Sequence, residues 1–145
     1  MAASTPTWAE HALATLQGPG HRRGGARQAV IELLSHQHCA MSALEIEEEL
    51  RRDGSEVSRA SIYRALEQLE ELGLLRRVEV SKGTASYEPA DPGGHHHHHI
   101  VCEQCGKVVP FEDPALEKAI SAVEQKSSMA ISAHEVTLRG HCPTC

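Results

Sequence analysis

Apolar positions recur at helical spacing through residues 8–72 and alternate as in strands through residues 74–88. Residues 8–16 read as a short helix, closed by a Gly18-Pro19-Gly20 breaker. A second helix is expected from about Ala26 to Ser35, with Val30, Leu33 and Leu34 on one face. Ser42 followed by Glu45 has the form of a capping box, opening a helix through about Arg52 with Ile46 and Leu50 inward. Asp53-Gly54 stops it. Ser58 then caps the most informative helix, to about Leu72, whose buried stripe is Ile62, Ala65, Leu66, Leu69 and Leu72. Ala60, Tyr63, Arg64, Glu67 and Gln68 fall on its other side, and Gly73 ends it. Leu74–Val80 and Thr84–Glu88 alternate around a Ser81-Lys82-Gly83 turn. Helix, tight turn, helix and two-stranded wing is the plan of a winged helix-turn-helix, whose second helix enters the DNA major groove.

Asp91-Pro92-Gly93-Gly94 is polar, flexible punctuation and marks a hinge over residues 90–94. Beyond it, Ile100–Val101 and Val108–Phe111 are expected as strands flanking a Cys-x-x-Cys-Gly knuckle. Pro114 opens a helix to about Gln125, and Ala130–Arg139 reads as one more strand. The fold class is α+β: a winged-helix domain over 1–89 and a small α/β domain over 95–145.

The length of 145 residues allows one ordinary domain or two small ones. No run of 18 apolar residues crosses a membrane. The start, MAASTPTWAEHALATLQG, carries Glu10 and lacks the basic beginning and apolar core of a signal peptide, so a cytoplasmic protein is expected. A net charge of −6 argues mildly against a nucleic-acid partner. Its distribution softens that argument. Residues 1–85 hold 10 Lys/Arg against 12 Asp/Glu, whereas residues 86–145 hold 4 against 8. The arginines of the first part cluster, as Arg22-Arg23…Arg27 and as Arg59…Arg64, and a local patch can bind phosphate.

Cys102-x-x-Cys105 and Cys142-x-x-Cys145 carry the strongest chemical signal. Without an export signal this spacing reads as metal rather than disulfide. Four thiolates on two knuckles close a tetrahedron about 2.3 Å from zinc and leave no open position, so the site is structural. The alternative is a pair of independent redox dithiols or free thiols. Cys39 stands outside the set, as an ordinary small buried residue. The run His95–His99 abuts the first knuckle. As a strand it would send His96 and His98 to one face and His97 and His99 to the other, which predicts two different metal sites. The rival reading is a solvated histidine loop that binds transition ions loosely.

His96–Ile100, Val101-Cys102-x-x-Cys105-Gly106-Lys107-Val108-Val109, the closing Leu138-x-Gly140-His141-Cys142-x-x-Cys145 and the stretch Ser58-Arg59-Ala60-Ser61-Ile62-Tyr63-Arg64-Ala65-Leu66 together resemble the ferric uptake regulator family. The resemblance covers about residues 20–145. It implies a homodimeric winged-helix repressor that binds double-stranded operator DNA and controls metal-uptake or metal-homeostasis genes, with residues 95–145 as the dimerisation domain. It implies a metal site in that domain on His96, His98, Glu117 and His134, and a sensory site between the domains on Glu88, His97 and His99. The family usually adds a histidine where this chain has Ala40; either His38 or Cys39 substitutes, or the site has three protein ligands. His98 stands where many iron-sensing relatives have aspartate. The regulatory ion is then Zn2+ or Fe2+, with Mn2+ and Ni2+ also compatible. For DNA the resemblance implies Arg22, Arg59, Tyr63 and Arg64. The plainer reading of the last two pairs Arg64 with Glu67 or Gln68 and packs Tyr63 at the core edge.

Two rivals follow from the residues. A zinc hydrolase or deaminase would need His-x-Glu with Pro-Cys-x-x-Cys, whereas His134-Glu135 are adjacent here and Pro143 lies inside the second cysteine pair, so no enzyme is expected. A metal buffer or chaperone without DNA-binding activity would account for the histidines but not for Tyr63-Arg64 ahead of a wing.

Overall fold

The computed structural model describes residues 7–16, 25–37, 40–81, 83–91 and 96–145. The Gly18-Pro19-Gly20 breaker, Arg22, Arg23, His38, Cys39, Lys82 and residues 92–95 lie outside the described residues. The chain divides into two units, Met1–His96 and His97–Cys145.

The first unit contains, among the described residues, α1 (Trp8–Leu16), α2 (Gly25–Ser35), β1 (Met41–Ser42), α3 (Ala43–Arg52), α4 (Arg59–Glu71), β2 (Leu75–Ser81) and β3 (Thr84–Pro89). The capping box at Ser42 forms in both directions. Its Oγ accepts from the Glu45 amide at 3.1 Å, and the Glu45 carboxylate accepts from the Ser42 amide at 2.7 Å. Ser58 Oγ accepts from the Ser61 amide at 3.2 Å and starts α4. The helix ends in a Schellman turn: Leu74 N–H donates to the Leu69 carbonyl and Gly73 N–H to the Glu70 carbonyl, both at 2.9 Å. That turn needs the left-handed φ of +71° at Gly73, which a residue without Cβ adopts freely.

The same turn corrects the expected stripe of α4. Ile62, Ala65, Leu66 and Leu69 are buried, but Leu72 is 41 % exposed. It is the C-cap, and the reversal at Gly73 gives its core position to Leu74. Val30, Ile31, Leu34, Ile46, Ile62, Leu66 and Leu69 form the core between the helices. Truncating any of the leucines to Ala would cost about 2–5 kcal/mol. The sheet runs β1-β3-β2, with Met41 opposite Tyr87 and Arg76 opposite Glu88. The Leu74 carbonyl accepts twice, from Trp8 Nε1 at 2.7 Å and from the Ala90 amide at 3.0 Å.

The second unit contains β4 (His98–Cys102), β5 (Val108–Phe111), α5 (Pro114–Lys126) and β6 (Thr137–Gly140). Asp113 Oδ1 accepts from the Ala115 amide at 2.8 Å and the Leu116 amide at 3.2 Å, with Pro114 beginning the helix. The strand order is β5-β4-β6, antiparallel on one side of β4 and parallel on the other. The strand expected over 130–139 is shorter than predicted. Only Thr137–Gly140 is in the ladder, because β4 begins at His98 and offers no partner further back. The Val136 amide is instead taken by His98 Nδ1 at 3.2 Å. His134 therefore precedes the last strand rather than lying on it, and His96 and His97 precede β4. Ile100 pairs with Val109 on one side and Leu138 on the other, so three exposed apolar side chains cross one sheet face in register. Among the described residues, no helix is long and apolar enough to cross a membrane.

Candidate metal centres and nucleic-acid face

Parallel pairing sets the cysteines together. Cys102, the last residue of β4, lies beside Gly140, the last of β6, so both knuckles leave the sheet at the same end. The four sulfurs of Cys102, Cys105, Cys142 and Cys145 lie within 4.8 Å of one another, and none is in a disulfide. Cys102–Cys145 and Cys105–Cys142 are separated by 3.5 and 3.6 Å, close to the edge of about 3.8 Å that four bonds of about 2.3 Å imply. Cys142–Cys145, at 2.6 Å, is tighter than that edge. The amides of Cys105 and Cys142 donate to Cys102 Sγ at 3.5 and 3.4 Å and bring its thiol down to about 5, favouring thiolate at neutral pH. Cys145 pushes Cys142 down as a hydrogen-bond partner, and the same contact pushes Cys145 up.

A second cluster forms where α5 meets β4. Candidate ligand atoms of His98, Glu117 and His134 lie within 4.8 Å of one another. Glu117 Oε1 meets the Nε2 of His98, and Glu117 Oε2 meets the Nε2 of His134 at 2.9 Å. The His98 ring is buried and touches Phe111 at 5.7 Å between centroids. His98 holds the Glu117 carboxyl below the usual carboxylate range, with His134 adding to the effect, and Glu117 in turn raises His134. Glu124 also belongs here, with Oε1 at 3.1 Å from His134 Nδ1. It was not anticipated from the sequence, although its spacing from Glu117, two helical turns on, was a usable signal.

The remaining candidate ligands fall on either side of the unit boundary. In the first unit, Glu88 is a buried carboxylate on β3 and His96 is the last residue, half-buried. In the second, the His97 and His99 rings pack edge to face at 5.0 Å.

On the first unit, α4 exposes Arg59, Ala60, Tyr63, Arg64 and Glu67, with Tyr63 47 % exposed. Tyr63 is off the core rather than at its edge. Arg64 reaches Ser61 Oγ at 3.4 Å, while Gln68 accepts from Arg27 at 3.0 Å. Arg59 donates from Nε to Glu47 Oε2 at 2.7 Å, and that carboxylate raises the guanidinium's pKa. Glu47 was not anticipated as part of this face.

The model of the ferric uptake regulator family matches residues 19–139. A ferric uptake regulation protein of Neisseria meningitidis is 33 % identical over 134 residues, 92 % of each chain. The peroxide-responsive repressor PerR of Staphylococcus aureus is 29 % identical over 136 residues, 94 % of this chain and 90 % of that one. Among solved structures, the Helicobacter pylori ferric uptake regulator, described as having three functional metal-binding sites, superposes with a TM-score of 0.81 at 28 % identity, covering 95 % of this chain and 91 % of that one. With the match spanning both units, this chain belongs to the ferric uptake regulator family.

Proposed function

We propose that the chain is a metal-dependent DNA-binding transcriptional repressor of metal-uptake or metal-homeostasis genes, acting in the cytoplasm as a homodimer on double-stranded operator DNA. The observation that carries this reading is the gathering of His98, Glu117 and His134 in a chain that also presents Tyr63 and Arg64 outward on a helix before a wing. A buffer has no use for the second feature. In this reading residues 1–89 read DNA, 90–94 are a hinge and 95–145 dimerise.

Cys102, Cys105, Cys142 and Cys145 would hold a structural zinc, for which their sulfur set and spacing suit. His96, two residues before His98 in the run, would join His98, Glu117 and His134 in a site for Zn2+, Fe2+ or a similar divalent ion. The three functional sites of the Helicobacter relative favour a further site, on Glu88, His97 and His99. A bound cation supplies positive charge that several ligands can share. Held by Glu88 from one unit and His97 and His99 from the other, it would link their orientation to operator affinity, a coupling typically of about 1–3 kcal/mol. At the other site, ligation through His98 Nε2 requires the ring proton to move to Nδ1 and the Val136 contact to give way.

Homodimerisation is supported by the exposed stripe Val109–Ile100–Leu138 and by α5, which buries none of its residues within the chain. A second copy is the occupant that symmetry favours.

A mobility shift with the chain's own promoter fragment, with and without chelator, tests the reading. The wild type should retard DNA only when metal is present. Tyr63→Ala should lose about 1–3 kcal/mol of operator binding at unchanged metal content, whereas Arg22→Ala should weaken binding broadly and flatten its salt dependence. Glu88→Ala and His97→Ala should each abolish the metal response, and the double variant should be little worse. Retardation independent of metal, or none at all, would overturn the proposal.

A further inference from the structure

Of His98, Glu117 and His134, only His134 lies on neither a strand nor a helix. It lies in the stretch between α5 and β6, ahead of the first paired residue Thr137. A ring there needs a tether if it is to present a chosen nitrogen. Its Nδ1 faces Glu124 Oε1 at 3.1 Å and its Nε2 faces Glu117 Oε2 at 2.9 Å. Carboxylates only accept, so both nitrogens carry a proton in these contacts; when Nε2 gives up its own to a cation, the proton toward Glu124 is the one that stays. His98 is held the opposite way, with Nδ1 accepting from the Val136 amide. Of the two rings, His134 is the one whose outer nitrogen is already in the protonation state that ligation through Nε2 requires.

We propose that Glu124 is a positioning residue for this site, holding the His134 ring by Nδ1–H so that Nε2 points toward Glu117 and His98. Glu117 and Glu124 lie two turns apart on one face of α5 and grip the ring from both sides. Such carboxylate–histidine pairs fix ring orientation and make the ligating nitrogen a better donor. The inference rests on the cluster being a metal site, and its test separates the two ideas.

Full-length protein carrying zinc on its cysteines is titrated with Co2+ in competition with a chelator, as wild type, Glu124→Ala, Glu124→Gln, His98→Ala and Glu117→Ala. Glu124→Ala should bind cobalt about 10–100-fold more weakly with the same visible band pattern. Glu124→Gln, which keeps an acceptor oxygen, should recover most of the affinity. In the zinc-loaded protein the His134 Nδ1–H proton resonance should be present in the wild type and Glu124→Gln and lost to exchange in Glu124→Ala. Wild-type cobalt affinity in Glu124→Ala overturns the positioning role. So does a changed band pattern with Glu124→Gln as weak as Glu124→Ala, which would make Glu124 itself a ligand. If His98→Ala and Glu117→Ala keep wild-type cobalt binding, the metal site falls, and the positioning role with it.

Discussion

Arg59, the first residue of α4, is tied at 2.7 Å to Glu47 on α3, a carboxylate only 10 % exposed that also takes Arg51 at 2.9 Å. The pair links the two helices of the helix-turn-helix at the end where α4 begins. If Arg59 serves DNA binding through this link, Glu47→Gln and Arg59→Ala should lower operator affinity alike. Neither should then change the salt dependence, and the double variant should match the singles. If only Arg59→Ala weakens binding, with a shallower salt slope, the guanidinium contacts phosphate instead.

Replacing Cys102 by Ser should remove the structural ion and unfold or monomerise the second unit. Cys102 Sγ accepts from two amides on both knuckles, and metal binding of this kind is coupled to folding. Zinc content and sedimentation of the variant check this. A zinc-free variant that stays dimeric would contradict it.

A charge in the apolar stripe should break self-association. Ile100 is 42 % exposed between Val109 and Leu138. Ile100→Asp should shift sedimentation to the monomer while the cysteines still bind zinc, since Ile100 is not one of the four sulfur ligands. A dimer of unchanged strength would place the interface elsewhere.

The Glu117–His134 pair predicts a pH window when no cation occupies that cluster. His134 is raised above its ordinary 6.5, so its contribution is complete below 6.5 and fades as pH rises through the raised value. Glu117 is lowered from 4.5, so its contribution is complete above 4.5 and fades as pH falls through the lowered value. The pair therefore stabilises fully between 4.5 and 6.5. The difference in melting temperature between wild type and Glu117→Gln should be greatest inside that window and shrink at alkaline pH. A difference that is flat up to alkaline pH would refute the pair's role.

Much of this was legible in residue order because the signals are local. Ser42 with Glu45, Ser58, Pro114 and Gly73 each mark a helix end through bonds to neighbours a few residues away. The four cysteines were legible because metal spacing is a chemical pattern. What escaped depends on partners distant in sequence. The short β1 exists only because β3 returns to it, and the last strand is cut short by where β4 begins. Leu72 has the right helical phase, but the Schellman turn rotates the chain before it can be buried. Glu47 and Glu124 look like solvated helix charges until Arg59 and His134 arrive from elsewhere.

The hydrogen bond from Trp8 to the Leu74 carbonyl gives the molecule a built-in optical probe. Trp8 is the chain's sole tryptophan, both tyrosines (Tyr63 and Tyr87) share its unit, and the second unit's only conventional fluorophore is the weakly emitting Phe111. Emission excited at the red edge of the indole band therefore reports α1 docking on one carbonyl, which also holds the Ala90 amide where the chain leaves the wing. Unfolding of the winged unit should be visible in that colour alone, while melting of the second unit is dark to it and needs a separate signal.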